Sequence, residues 1–138
     1  MLPLLGSGES DAVDHNRSAQ EGKRTMDTQA IIQHHLDTLA AGDLEGIMSD
    51  YTEESLLIVP GAVLKGLEAL RGAFTAALDA SFKPGAHTFT LYSLDVDGDC
   101  GLITWKVDAE AGDIVFGQDS FCMRAGKIWM QTGAVFTG

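Results

Sequence analysis

Near the end of the chain an aspartate interrupts an apolar run. The stretch FGQDSFCMRAGKIW, residues 116–129, places Asp119 between Phe116 and Phe121. A carboxylate on the apolar face of a strand must be hydrogen-bonded, neutralised or engaged in chemistry. If the hairpin closes at Arg124-Ala125-Gly126 with Met123 opposite Lys127, Phe121 stands opposite Trp129 and Asp119 opposite Gln131. Opposed residues share one face of a sheet, so Gln131 is the expected hydrogen-bond partner of Asp119. His35 is the second polar candidate. In DTQAIIQHHLDTLAAGD the apolar stripe runs through Ile32, Leu36, Leu39 and Ala40. His35 sits at the edge of that stripe, and His34 points nearly the opposite way. An imidazole turned inward near a carboxylate suits proton transfer or hydrogen bonding to a ligand. Tyr51, at the end of the second helix, can add a hydroxyl.

These residues need elements to hold them. The first helix has a stop at Gly42, and Asp43 can cap a short second helix striped by Leu44, Ile47, Met48 and Tyr51. EESLLIVPGAVLKG reads as two strands around a Pro60-Gly61 turn. LEALRGAFTAALDAS is a third helix, with Leu67, Leu70, Phe74, Ala77 and Leu78 on one face. HTFTLYSLDV, CGLITWKVD, IVFGQDSFCMR and KIWMQTGAVF follow as strands separated by turns. Helices gathered before strands indicate the α+β class. The helices must cover one face of a curved antiparallel sheet, which makes a cone with an internal pocket. Trp105 alternates with Ile103 and Val107, and Lys106 with Thr104 and Asp108. If the odd face points inward, Trp105 is a pocket wall. If the even face does, Trp105 lies on an apolar outer face suited to a dimer. Parity alone leaves both open.

Composition narrows the function classes. An apolar content of 45% can build a core. A net charge of −11 argues against a nucleic-acid backbone or an anionic membrane as partner. No stretch approaches the roughly 18 apolar residues that span a bilayer. Cys100 and Cys122 have no metal-ligand spacing and read as free thiols of a reducing cytoplasm. Asp95, Asp97 and Asp99 lack a calcium loop's length and its terminal glutamate, so they read as turn acids. No metal and no cofactor is expected. Residues 1–25 read as a disordered extension, and 26–138 as a single domain.

Three stretches carry a family resemblance: LAAGDLEGIMSDYTEES, VLKGLEALRGAF and DSFCMRAGKIW. Through them the chain from about Asp27 to Phe136 resembles the nuclear transport factor 2-like superfamily. That group includes ketosteroid isomerases, SnoaL-like polyketide cyclases, limonene epoxide hydrolase and scytalone dehydratase. The resemblance implies a cone of curved sheet around helices, often dimeric. The isomerase's protonated-acid position falls on Asp119, its tyrosine on His35 and its general base on Val59. Valine cannot abstract a proton, which disfavours that mechanism. The hydrolase's Arg-x-Asp pair resembles Lys106-Val107-Asp108, and its second aspartate falls near Gly133, so one carboxylate is absent. The polyketide cyclases need little beyond a pocket aspartate.

The expected function is the binding of a small, largely apolar carbonyl or hydroxyl compound. If the protein is an enzyme, it is an isomerase or cyclase in which Asp119, aided by His35, transfers a proton. The expected pocket is lined by Gln131, Tyr51, Phe74, Phe121, Trp129, Val59, Met48 and Trp105. The alternative is a non-catalytic ligand-binding or dimeric interaction module. The expected partners are the ligand and a second copy of the chain docked on the outer sheet face.

Overall fold

The structure, a computed structural model, describes the backbone of residues 12–138 and the side chains of residues 27–138. The first helix, α1, spans Ala12–Ala41, so it starts well before the expected Asp27. The sequence from Ala12 to Thr25 contains no proline to stop it. The remainder of the expectation for residues 1–25 lies outside the described residues. At its other end α1 stops at Gly42, whose φ of 71° is left-handed. There the Asp43 N–H returns to the Thr38 carbonyl at 2.9 Å, which satisfies the last turn. Asp43 then caps α2, Leu44–Met48, by accepting from the Gly46 N–H at 3.0 Å.

Strand β1 runs Tyr51–Val59, β2 Ala62–Lys65 and helix α3 Leu67–Leu78. Strands β3 His87–Asp97, β4 Cys100–Ala109, β5 Ile114–Arg124 and β6 Lys127–Phe136 complete the chain. Tyr51 therefore opens β1 rather than closing α2. The six strands lie in the order β2-β1-β6-β5-β4-β3. All neighbours are antiparallel except β1 and β6, which are parallel. The sheet is thus mixed, because the last strand returns beside the first. Helix α1 packs on β3, β4 and β5, and α3 packs on β1 and β2. Both helices lie within the curve of the sheet, as expected of the cone.

Burial along β4 settles the parity question. Gly101, Ile103, Trp105 and Val107 are buried, and the residues between them are more open. The odd face points inward and Trp105 is an interior residue. Lys106 and Asp108 pair at 3.1 Å on the outer side. The core gathers Ile32, Leu70, Val107, Phe121 and Ile128, each fully buried.

The terminal hairpin departs from the expected register. Ala125 and Gly126, with φ of 54° and 78°, form a two-residue turn of the kind that suits strand twist. Arg124, not Met123, then stands opposite Lys127. A bulge follows, for Met123 pairs with Ile128 but Cys122 with Met130, which leaves Trp129 as the extra residue. The turn shifts the register by one residue and the bulge by another. Phe121 thus faces Gln131, and Asp119 faces Gly133. Two successive shifts preserve the inward face, so Gln131 stays on the side of Asp119 as its diagonal neighbour.

Candidate functional site

Five polar side chains from five elements meet inside the cone. They are His35 on α1, Tyr51 on β1, Trp105 on β4, Asp119 on β5 and Gln131 on β6. The Gln131 amide donates to Asp119 Oδ2 at 2.8 Å, and the Trp105 indole N–H donates to Oδ1 at 3.0 Å. The Tyr51 hydroxyl donates to Gln131 Oε1. A hydroxyl has a single proton, so the 3.3 Å contact between Tyr51 and His35 Nδ1 is made with the imidazole as donor. The bonds therefore run one way, from His35 through Tyr51 and Gln131 to Asp119. Both oxygens of the carboxylate end as acceptors.

Electrostatics agree with that direction. His35 is buried against the rings of Phe121, Phe74 and Tyr51. Burial, with the neighbouring His34, lowers its pKa to about 4, so the ring is neutral at neutral pH. Burial holds the Tyr51 phenol well above its ordinary value, assisted by the charges of Asp119 and Asp50. Burial also raises Asp119, while the bonds from Gln131 and Trp105 oppose the rise. Two glycines make the geometry possible. A Cβ at Gly117 would lie 2.3 Å from the Trp105 ring, so the bare backbone is what lets the indole lie across β5 towards Asp119. A Cβ at Gly133, opposite Asp119, would come within 3.2 Å of Oδ2.

Asp119, Gln131 and His35 border a cavity of about 90 Å3. Its other walls are Leu36, Leu39, Phe74, Ala77, Phe82, Phe89, Ile103 and Trp105. Phe82, from the segment between α3 and β3, meets Trp105 edge-on at 5.5 Å, and Phe89 stacks on Trp105 at 5.6 Å. The volume is below the roughly 300 Å3 of common ligand pockets. It is also below the approximately 150 Å3 of an apolar cavity that holds benzene. Four aromatic side chains, Phe74, Phe82, Phe89 and Trp105, stand in the cavity wall.

The structure therefore places the expected site residues in two groups. Asp119, His35, Gln131, Phe74 and Trp105 border the cavity, and Tyr51 connects two of them from behind. Met48 and Phe121 are buried in the core beside it. Val59 packs against that core without reaching the cavity. Trp129 is displaced by the bulge into a separate cleft, where the Arg124 guanidinium lies 4.2 Å from its ring centre. Sequence reasoning missed Phe82, a lone aromatic in a turn segment, and it missed the indole bond to Asp119. Gly117 was the available sign of a close approach, but its meaning needs the β4–β5 register. Among the described residues no group of three or more His, Cys, Asp or Glu is placed to hold a metal ion. Among them, too, no helix is long and apolar enough to cross a membrane.

The SnoaL-like domain model matches residues 32–131, from the buried face of α1 to Gln131. The chain belongs to the SnoaL-like family. Solved structures agree on the nuclear transport factor 2-like cone. An NTF-2 like protein of unknown function from Burkholderia xenovorans superposes with a TM-score of 0.71 at 15% identity, covering 85% of this chain and 88% of its own. A candidate ketosteroid isomerase from Kribbella flavida gives 0.70 at 16% identity, over 83% and 81%. A candidate polyketide cyclase from Sinorhizobium meliloti gives 0.65 at 21% identity, over 79% and 97%. At these identities the likeness concerns the fold of the SnoaL-like domain and not its chemistry. No curated protein matches the chain.

Proposed function

We propose that this SnoaL-like domain binds a compact, largely apolar molecule through a hydroxyl that donates to Asp119. The carrying observation is a carboxylate held at the wall of an otherwise apolar cavity, with both oxygens oriented by Trp105 and Gln131. Each oxygen retains acceptor capacity after those bonds. A hydroxyl or enol fits that demand better than a bare carbonyl, which needs a donor. The cavity of about 90 Å3 takes only a few heavy atoms. A larger guest, phenol and benzene included, requires wall aromatics such as Phe82 and Phe89 to move aside.

Proton transfer next to a carbonyl is the second reading, favoured by the raised pKa of Asp119. Such an isomerase or cyclase also needs a donor for the developing oxyanion. The single indole N–H of Trp105 and the hydroxyl of Tyr51 are already committed, which leaves only the second amide proton of Gln131 as a side-chain donor on the cavity wall. Binding without turnover is therefore the better-supported function. As partner we propose a second copy on the outer sheet face, where Ile58, Val63 and Phe136 are exposed. Light scattering on the wild type and Val63→Lys tests it: a monomer in both would remove the dimer.

The binding reading is tested by thermal unfolding against a series from small alcohols to phenol, beside benzene. A guest that binds only the folded state raises the midpoint. Phenol should raise it more than benzene, and Asp119→Leu should erase the difference. Equal shifts with both would remove Asp119 as anchor. No shift with any guest would leave the cone as packed core and favour the interaction module.

A further inference from the structure

Away from the cone, the two cysteines of the chain face each other. Cys100, at the start of β4, pairs with Cys122 on β5. The next pair along is Asp99 and Met123, where the Met123 N–H donates to the Asp99 carbonyl at 2.7 Å. In an antiparallel ladder the hydrogen-bonded and non-hydrogen-bonded pairs alternate. Cys100 and Cys122 therefore occupy a non-hydrogen-bonded pair, the type whose side chains stand closest. Its usual Cα separation of about 4.5 Å falls within the range that a disulfide bridges. Alternation from the buried Gly101 and Phe121 puts both thiols on one face. Cys100 is exposed and Cys122 partly so. Both border a surface cleft of about 540 Å3 that also includes Thr28, Asp99, Arg124 and Trp129. A small thiol reagent can thus reach the pair from solvent.

We propose that Cys100 and Cys122 form a two-thiol redox site that exchanges with small disulfides of the glutathione type. Cys100 is the entry thiol, because it is the more exposed. Its thiolate attacks one sulfur of the incoming disulfide. The S–S bond of the reagent breaks, and one small thiolate leaves and takes up the proton that Cys100 lost. The Cys122 sulfur, after losing its own proton, attacks Cys100 Sγ and expels the second small thiol. The two cysteines are oxidised to one intramolecular disulfide, and the reagent is reduced to two thiols. Burial and the Cys100 thiol push Cys122 up to about 11, consistent with a second sulfur that acts after the first rather than as the initial nucleophile. An exposed cross-strand bridge of this kind belongs with the reducible, exchanging disulfides rather than the permanent ones.

The experiment incubates the folded full chain with excess glutathione disulfide, then reads free thiols, intact mass and a non-reducing peptide map. The wild type should lose both thiols and two hydrogens, with Cys100 linked to Cys122 in the monomer, and dithiothreitol should reverse this. Cys122→Ser should stop at one glutathione adduct on Cys100. Cys100→Ser should react at Cys122 at least roughly tenfold more slowly, since that thiol is less exposed. Stable glutathione adducts without the internal link, a link only between chains, or two unreacted thiols would each overturn the proposal. So would a link that forms only once denaturant is added. An equal rate in Cys100→Ser would overturn the assignment of the entry thiol.

Discussion

His34 and His35 are adjacent in sequence and live in opposite surroundings. His34 faces water and pairs with Asp50 at 2.7 Å, at a side-chain exposure of 47%. His35, 3% exposed, begins the chain of bonds that ends on Asp119. One helical step of about 100 degrees separates a screened surface pair from a buried network. The first tolerates loss of His34, because that ring meets water and Lys127 still favours the charge of the half-buried Asp50. The second has no such tolerance, because an orphaned group inside the cone meets no water. The contrast shows that position on the helix, not residue type, decides what a histidine contributes.

Four perturbations test that contrast, and the largest effect should come from the centre of the network. Gln131→Leu removes the partner of Tyr51 and one of the two donors on Asp119. We expect a loss of roughly 4 kcal/mol in urea unfolding, from one orphaned hydroxyl and one under-bonded carboxylate. A loss below about 1 kcal/mol would mean that the network is not cooperative with folding.

Acid should reveal His35 next. Its folded pKa of about 4 lies below its ordinary value of 6.5. Between those values the unfolded chain binds the proton and the folded one does not, so stability falls as pH falls through this window. The contribution is roughly 3 kcal/mol in total. Asp119, raised by burial, acts in the opposite direction: its folded form takes up a proton first as pH falls. The effect of His35 is therefore read as the difference between the wild type and His35→Gln, in which the Asp119 contribution largely cancels. Parallel stability curves from pH 7 to 4 would contradict a neutral buried imidazole.

Gly117→Ala comes third. The added methyl meets the Trp105 ring, and overpacking of this kind costs about 1–3 kcal/mol. The displaced indole also loses Asp119, which should shift Trp105 emission in a Trp129→Phe background. Unchanged emission would mean that the indole bond survives. The smallest effect belongs to the surface. His34→Ala should change stability by less than about 1 kcal/mol, and added salt should shrink that further.

Much of the architecture was legible in particular stretches. The stripe Ile32-Leu36-Leu39 with Gly42 and Asp43 marked α1, its end and the cap of α2, because caps and helical periodicity are local properties. The alternation in β4 marked a half-buried strand, although not which half. The inward Asp119 was legible too, since a carboxylate among Phe116, Phe121 and Met123 stands out. Its partners were legible only in part. Gln131 was found through a register that was two residues off, and it survived because two single-residue shifts keep the face. Trp129 did not survive, because it is itself the bulged residue.

By itself the sequence determined the α+β order, the helix boundaries at Gly42 and Asp43, the inward face of β5 and the division between His34 and His35. Each follows from propensity, capping or periodicity over a few residues. Only the tertiary structure decided that β6 lies parallel to β1, that Trp105 points inward and donates to Asp119, and that Phe82 and Phe89 narrow the cone to a small cavity. It alone placed Cys100 opposite Cys122. These facts depend on register and curvature, which arise from contacts between segments tens of residues apart and leave no local mark on the chain.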